Sequence, residues 1–246
     1  TTPAHASGAV DVVITNPDLQ SSTLVNGFTY SDPLFVAVTN SGTVVATSSD
    51  GITWTARTIQ SGLWTGVAWS GSIFVAVSSD GLASSSPDAI TWTARGINAN
   101  GKSTVVWASQ LGIFLATGDS NHVAASLDGI TWTDRADLPG TTVGFCTAWN
   151  GSLFSTGGFG SPTFQQGGTS PDGNIWTSNF MPGTGTRYNA MLWTGTRFVA
   201  VSSGPARAAT SPDGSNWTAQ TITANGGWFG LASNGSRLVA VVIGTG

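Results

Sequence analysis

Glutamate is absent from this sequence, and charged side chains of every kind are scarce: they make up 8% of its 246 residues, and Lys102 is the single lysine. A nucleic-acid interface needs clustered lysine and arginine, which displace the counterions of the phosphate backbone. A basic patch that binds a membrane surface needs the same residues. The composition therefore argues against both kinds of partner. No apolar run approaches the length of a membrane span, and no segment resembles a secretory signal peptide, so we expect no membrane insertion.

Cysteine and histidine are almost missing as well. With Cys146 alone no internal disulfide can form, and its apolar surroundings predict a buried, unreactive thiol. The two histidines, His5 and His122, show no zinc-ligand spacing. The segment from Asp119 to His122 places oxygen ligands at alternate positions, but a calcium site needs six or more of them, so a polar turn is the favoured interpretation. We expect neither a metal nor another cofactor.

A short motif that joins an aspartate to a tryptophan recurs along the chain. Its five copies are SSDGITWTAR, SPDAITWTAR, SLDGITWTDR, SPDGNIWTSN and SPDGSNWTAQ, and their tryptophans follow one another at intervals of 38 to 44 residues. A period in this range indicates a solenoid, a propeller or an array. Gly, Ser, Thr, Val and Trp are abundant while helix-favouring residues are scarce, which favours an all-β fold.

Hairpins separate the motif copies. The stretch VAWSGSIFVAV, for example, predicts a strand that ends in an aromatic residue, a tight turn, and an apolar strand covered on both faces. With the two strands that flank each motif, the unit has four antiparallel strands, which is the blade of a β-propeller. There are six such hairpins but five clear motifs, and we assign the missing half to a strand from Val10 to Thr15 and a degenerate motif copy from Asn16 to Thr23.

The sequence therefore predicts one domain over residues 1–246, with residues 1–8 as a loose N-terminal arm. Its predicted fold is an all-β, six-bladed β-propeller of four-stranded antiparallel blades. We expect the N-terminal strands to pair with the C-terminal strands, because such closure leaves no unpaired terminal blade. The longest connections, Arg135 to Gly144, Gly157 to Gly168 and Ser178 to Asn189, are expected on one face, and the motif turns on the other.

The recurring motif resembles the Asp-box, or BNR repeat, of sialidases and related propellers, whose pattern is Ser-x-Asp-x-Gly-x-Thr-Trp. Ser48, Asp50, Gly51, Thr53 and Trp54 follow this order, although each copy is one residue shorter between Asp and Trp. The resemblance implies a structural box, in which the aspartate binds backbone N–H groups of its hairpin and the tryptophan packs between blades. The residues assigned to it are Asp50, Trp54, Asp88, Trp92, Asp128, Trp132, Asp172, Trp176, Asp213 and Trp217.

The same resemblance bears on catalysis and on location. A sialidase needs a glutamate that polarises a tyrosine nucleophile, and glutamate is absent here, so we expect no enzymatic activity. A glycoside hydrolase built on paired aspartates is the less favoured alternative. Repeats of this kind are also similar to propeller modules of bacteriophage tail and virion proteins, which implies a virion-surface or extracellular location.

Binding is the favoured function, because aromatic and polar residues collect on the expected long-loop face. Aromatic rings stack on sugar faces and polar groups recognise hydroxyls, which predicts binding of a surface glycan or another surface receptor. Two alternatives stay open: the aromatic residues serve as core, or the chain is a structural scaffold or protein–protein module in contact with other virion proteins. The predicted ligand-binding residues are Trp64, Lys102, Asp119, His122, Phe164, Arg187, Tyr188 and Trp228.

Overall fold

The structure of this chain is a computed structural model. It describes residues 8–15, 17, 20–30, 34–97, 101–118, 121–139, 143–159, 167–183, 187–203, 208–222, 227–233 and 237–243. Every helix or strand in these ranges is a β-strand, which confirms the predicted all-β class. The described part of the chain accordingly has no helix that is long and apolar enough to cross a membrane. Residues 1–7 of the predicted arm lie outside these ranges, and Gly8 already belongs to the first strand.

The strands, in chain order, are β1 (Gly8–Thr15), β2 (Ser21–Tyr30), β3 (Phe35–Val38), β4 (Val44–Ser48), β5 (Thr55–Thr58), β6 (Trp64–Trp69), β7 (Phe74–Ser78), β8 (Leu82–Ser86), β9 (Thr93–Gly96), β10 (Lys102–Ala108), β11 (Ile113–Gly118), β12 (Ala124–Ser126), β13 (Thr133–Asp134), β14 (Val143–Trp149), β15 (Phe154–Phe159), β16 (Gly167–Ser170), β17 (Thr177–Asn179), β18 (Tyr188–Trp193), β19 (Phe198–Ser202), β20 (Ala208–Ser211), β21 (Thr218–Gln220), β22 (Gly227–Ser233) and β23 (Leu238–Ile243).

The described strands form seven antiparallel sheets, each made of consecutive strands. Four sheets have four strands, as predicted for a blade: β6–β9, β10–β13, β14–β17 and β18–β21. The sheet β3–β5 has three strands, and the sheets β1–β2 and β22–β23 have two each. The first strands of six sheets contact one another in the order β3, β6, β10, β14, β18 and β22. We call β6, β10, β14, β18 and β22 the inner strands, because β3 pairs with β4 as the second strand β7 pairs with β8.

The core lies between successive sheets. The second strand of a four-stranded sheet is buried along its whole length in β7, β11 and β19. Val75 and Val77 of β7 pack with Phe114 of the next sheet, whereas Ala76 between them packs with Val45 of the preceding sheet. Burial of an aliphatic or aromatic side chain of this size contributes about 1.5–3 kcal/mol. Contacts between the faces of neighbouring sheets therefore hold the fold together.

Each aspartate of the recurring motif stabilises its own hairpin turn. In the first copy, Asp50 Oδ1 accepts hydrogen bonds from the backbone N–H groups of Ile52 at 2.8 Å and Thr53 at 2.7 Å. Asp50 Oδ1 also accepts from the Ser48 hydroxyl at 2.9 Å, and Ser48 Oγ accepts from the backbone N–H of Gly51 at 2.8 Å. Equivalent bonds to the carboxylate occur at Asp88, Asp128, Asp172 and Asp213.

The motif tryptophans differ in their surroundings. The indoles of Trp54, Trp92 and Trp217 donate to the carbonyl oxygen three residues earlier. Trp132 and Trp176 have buried Nε1 atoms that lack an acceptor among the described residues. Four of the five indoles pack against core clusters, while Trp54 is exposed. The aspartate of the motif therefore has the same backbone hydrogen bonds in every copy, whereas the contacts of the tryptophan with the core differ between copies.

The N-terminal hairpin differs from the prediction. Phe28 to Tyr30 are expected to begin the first blade, but β2 continues through them and pairs them with Gly8 to Val10 of β1. β1 and β2 pair with each other along the whole hairpin. Neither strand pairs with β23 in the described part of the chain. The predicted closure by N-terminal and C-terminal strands is therefore not found, and the predicted count of six blades is not confirmed. In the degenerate motif copy, Asn16 and Asp18 lie outside the described residues.

Substitution of two motif glycines separates backbone strain from packing. Gly51 (φ 72°) and Gly129 (φ 70°) share a left-handed backbone, but an added Cβ would lie 3.9 Å from Phe35 at Gly51 and 2.5 Å from Val75 at Gly129. We expect Gly51→Ala to lower the free energy of unfolding by about 1–2 kcal/mol, the cost of a left-handed alanine. Gly129→Ala should cost about 1–3 kcal/mol more, because it overpacks the core. Urea denaturation measures both, and equal losses would contradict this packing.

Acid is expected to weaken the motif turns. Hydrogen bonds from the backbone N–H groups of Thr53 and Ile52 lower the pKa of Asp50 to about 2, and equivalent bonds lower the pKa values of Asp88 and Asp128. Carboxyl groups of the unfolded chain titrate near pH ~4, so on acidification the unfolded state takes up protons first. The stability that these carboxyl groups contribute is present above about pH 4 and is lost as the pH falls toward their pKa values in the folded state. Urea unfolding between these limits should show the loss, and Asp50→Asn should make it shallower. A stability that does not change with pH would contradict the expectation.

Candidate functional site

One cavity is lined by residues of six strands, namely β3 and the five inner strands, and of the turns beside them. Its volume is about 540 Å³, which is within the range of small-molecule sites. It lies where the inner strands β6, β10, β14, β18 and β22 begin, next to the long connections before β14 and β18. We call it the six-strand cavity, and its lining residues are Val38, Asn40, Trp64, Thr65, Ser79, Ser103, Phe145, Arg187, Asn189 and Phe229.

A β-bulge near the start of five inner strands brings one residue of each strand to this cavity. The pairing of β6 with β7 skips one residue between Trp64 and Gly66, and the skipped residue, Thr65, lines the cavity. The same irregularity occurs in β10, β14, β18 and β22, where the lining residues are Ser103, Phe145, Asn189 and Phe229. A bulge interrupts the regular alternation of a strand and redirects a side chain. It therefore supplies the cavity with a side chain while the residue before it stays in the core.

Hydrogen bonds between neighbouring inner strands hold two of the bulge residues. Thr65 Oγ1 donates to the Lys102 carbonyl oxygen at 2.7 Å, and Asn189 Nδ2 donates to the Trp228 carbonyl oxygen at 2.8 Å. The Oδ1 atom of Asn189 is buried and has no hydrogen-bond donor among the described residues. Thr65 and Asn189 are thus fixed in the cavity wall by bonds to the next inner strand.

Arg187 provides the positive charge of the six-strand cavity. Its guanidinium carbon lies 3.7 Å from the centroid of the Phe145 ring, which is a cation–π contact. The Arg187 side chain is exposed, and no other residue in the described lining is ionisable. A guanidinium presents its N–H groups in one plane, an arrangement that suits a carboxylate or a pair of hydroxyl oxygens.

Four of the predicted ligand-binding residues stand immediately before a bulge. Trp64, Lys102, Tyr188 and Trp228 each precede a bulge residue, and all four side chains are buried. The Trp64 indole and the Tyr188 hydroxyl donate to backbone carbonyl oxygens at 3.0 and 2.7 Å. Trp64 and Tyr188 therefore have internal partners, although Trp64 also forms part of the cavity wall, whereas the buried Nε1 atom of Trp228 has no acceptor among the described residues. Their role in ligand binding remains a prediction.

Lys102 and His122 belong to a charged cluster beside the cavity. Lys102 Nζ donates to the His122 carbonyl oxygen at 3.4 Å; burial lowers the pKa of Lys102, and the charges of Asp134 and Asp137 oppose that shift. His122 Nδ1 lies 2.7 Å from Asp137 Oδ1, and nearly half of each of these two side chains is exposed. The cluster joins β10 to the segments on both sides of β12 and β13, and none of its members lines the six-strand cavity.

The remaining predicted residues, Asp119 and Phe164, lie outside the described residues. Within the described ranges, no group of three His, Cys, Asp or Glu side chains could hold a metal ion. Of the predicted ligand-binding residues, Trp64 and Arg187 are therefore the two that the structure brings together in the cavity lining.

Sequence reasoning misses most of the polar lining of the cavity. It selects Trp228, but the exposed ring in the lining belongs to the next residue, Phe229. It also does not select Asn40, Ser79 or Asn189. Strand alternation does not predict the offset between Trp228 and Phe229, because a bulge at position 229 interrupts the alternation.

Comparison with known proteins supports the fold. No family model matches the chain, and no curated protein matches it. Among solved structures, it is similar to YCF48 bound to a D1 peptide (14% identity, TM-score 0.58, 87% of this chain and 79% of that chain). It is also similar to a nidogen/laminin complex (12% identity, TM-score 0.65, 85% and 84%) and to the computationally designed Ika8 protein (12% identity, TM-score 0.55, 97% and 81%). Identities this low show the fold alone: the chain has a β-propeller fold, as predicted, and the resemblance to the Asp-box repeat is not confirmed.

Thiol labelling tests the register of the bulge in β14. Cys146 follows the bulge residue Phe145, is buried, and donates from Sγ to the Gly157 carbonyl oxygen at 3.2 Å. Burial raises the pKa of Cys146 to about 12. We therefore expect no reaction with a maleimide at neutral pH in the native state and complete reaction in denaturant. In the double variant Phe145→Cys, Cys146→Ser the thiol faces the cavity and should react without denaturant. Rapid labelling of native Cys146 would contradict the bulge.

Proposed function

We propose that this chain is a non-catalytic recognition module that binds a surface glycan in the six-strand cavity. The observation that supports the proposal is the set of five bulges, which bring hydroxyl, amide and aromatic side chains from successive sheets into one open cavity. A propeller suits this role, because sites built on rigid strands are held more accurately than sites built on loops.

Neutral polar side chains suit a ligand that is rich in hydroxyl groups. Asn40, Ser79 and Asn189 contribute groups that both donate and accept hydrogen bonds. Phe229 adds an exposed ring, on which the C–H face of a sugar can pack. Arg187 adds a charged donor, and a hydrogen bond from a charged group contributes about 1.5–3 kcal/mol.

The residues of the lining favour binding without turnover. Hydrolysis of a glycosidic bond usually requires two carboxyl groups that flank the bond. The described lining contains no Asp, Glu or His, and its one ionisable side chain is Arg187. A glycoside hydrolase is for this reason the least favoured candidate.

A protein partner is the second candidate for the ligand. Two of the similar structures are complexes: YCF48 is bound to a peptide, and nidogen is bound to laminin. In this case the six-strand cavity would receive a peptide, and Arg187 would pair with an acidic side chain or a chain terminus. For either ligand we propose a virion surface as the setting, which is supported by the resemblance of the repeats to bacteriophage propeller modules.

Substitution of Arg187 tests the site. For a ligand identified on a glycan array, we expect Arg187→Ala to raise Kd by roughly tenfold or more, because the lost hydrogen bond is worth about 1.5 kcal/mol or more. Phe229→Ala should weaken binding independently, through the loss of stacking surface. Isothermal titration calorimetry measures both, and the melting temperature of each variant shows whether it is folded. The matched control Arg197→Ala removes an exposed arginine outside the cavity and should leave Kd unchanged.

Three results separate the candidates. Saturable glycan binding that depends on Arg187 supports the proposal. An array without any bound glycan, together with capture of a purified virion protein that depends on Arg187, replaces the glycan with a protein partner. Turnover of oligosaccharides by the purified chain would overturn the non-catalytic role.

A further inference from the structure

A second cavity lies at the opposite ends of the inner strands β6, β10, β14 and β18, close to the hairpin turns that follow them. Its volume is about 420 Å³. Each of these four strands contributes one tryptophan to the lining, and aliphatic side chains such as Ala68, Val106 and Leu192 lie between the indoles. We call the four tryptophans the tryptophan arc: Trp69, Trp107, Trp149 and Trp193.

Hairpin formation alone does not account for the arc. Each tryptophan pairs across its hairpin with a phenylalanine, and the ring centroids lie between 4.1 and 4.8 Å apart. In the β22–β23 hairpin, Ser233 and Leu238 stand opposite each other at the position that the aromatic pair occupies in the other hairpins. This hairpin therefore forms without an aromatic pair. The four indoles are nevertheless not fully buried, and Trp69 is 42% exposed. Large aromatic side chains that stay partly exposed on adjoining strands indicate a binding surface.

Three of the four indole N–H groups have no acceptor among the described residues. Trp149 Nε1 donates to Gln110 Oε1 at 2.7 Å. For Trp69, Trp107 and Trp193, no described residue accepts a hydrogen bond from Nε1. An indole N–H that lacks a protein partner binds water or a ligand. The arc therefore combines aromatic and aliphatic side chains, a comparable share of polar surface and three indole donors without an acceptor among the described residues.

The lining selects a neutral ligand that carries acceptors. Its described residues include no carboxylate to balance a cation and no cation to bind an anion. A purely apolar ligand would cover the indole N–H groups without pairing them, and an unpaired buried donor costs about 1–3 kcal/mol. A saccharide meets both conditions, because its C–H faces pack on aromatic rings and its hydroxyl oxygens accept hydrogen bonds.

We propose that the tryptophan arc is a second binding site, which binds a neutral oligosaccharide at the ends of the inner strands opposite to the six-strand cavity. The site shares no lining residue with the six-strand cavity. It therefore does not rest on the function proposed for that cavity, and either site can be removed without changing the lining of the other.

Titration with three neutral sugars, cellohexaose, maltohexaose and chitotetraose, tests the arc, with NMR spectra that record the indole N–H signals. We expect at least one sugar to bind saturably and to shift the signals of Trp69, Trp107 and Trp193. Trp107→Phe keeps a ring against Phe114 but removes the N–H, so Kd should rise about threefold to tenfold. The matched control Trp54→Phe replaces an exposed indole outside the arc and should leave Kd unchanged.

Several outcomes would overturn the proposal. One is the absence of binding by all three sugars at about 10 mM, which lies above the Kd of even a weak complex of about −4 kcal/mol. Another is binding that survives the combined variant Trp107→Phe, Trp193→Phe in a protein that is still folded. Loss of the same binding in Arg187→Ala would assign the sugar to the six-strand cavity. Indole shifts caused by a protein partner and by none of the sugars would assign the arc to protein docking.

Discussion

Successive side chains on the second strand of a four-stranded sheet pack into two different neighbours. Val75 contacts the following sheet and Ala76 the preceding one, so neither face of that strand meets solvent. Pairing of polar groups within the protein is favoured inside such a stack, because an unpaired buried group costs about 1–3 kcal/mol, and the Nε1 atoms of Trp132 and Trp176 are exceptions among the described residues. The motif turns satisfy this condition locally: Asp50 and Ser48 bind the backbone N–H groups of their own turn. Groups available to a ligand are then left mainly at the two ends of the inner strands.

The two ends of the inner strands have different chemistry. At one end, bulges interrupt the pairing and bring Thr65, Asn189 and Phe229 to a polar cavity with a single arginine. At the other end, pairing is regular, and tryptophans alternate with aliphatic residues in an uncharged cavity. One set of strands therefore offers two surfaces of unlike polarity, and the difference arises from whether the pairing with the second strand is regular.

The sheets could be predicted from the sequence because their signals are local. Asp50 binds residues two and three positions ahead of it, and the turn at Asn150 is stabilised by that residue's own side chain. Trp64 and Arg187 of the cavity lining were predicted, but the bulge residues could be predicted only to within one position. A bulge depends on how one strand fits against the next, and the residue types of either strand alone do not determine that fit. The sequence-based prediction therefore selects Trp228, whereas Phe229 lines the cavity.

The N-terminal hairpin shows the same limit at a larger scale. Phe28 fits the pattern of an inner strand, but the partner of a strand is decided by competition between whole hairpins, and the longer pairing with β1 prevails. The arrangement leaves β23 with β22 as its one partner in the described sheets, and both β23 and the β1–β2 hairpin expose valines. A strand edge of this kind accepts an incoming strand from another molecule as readily as from its own chain. In the described sheets, the edge of β23 that does not face β22 is therefore where a strand from a second molecule would add to the fold.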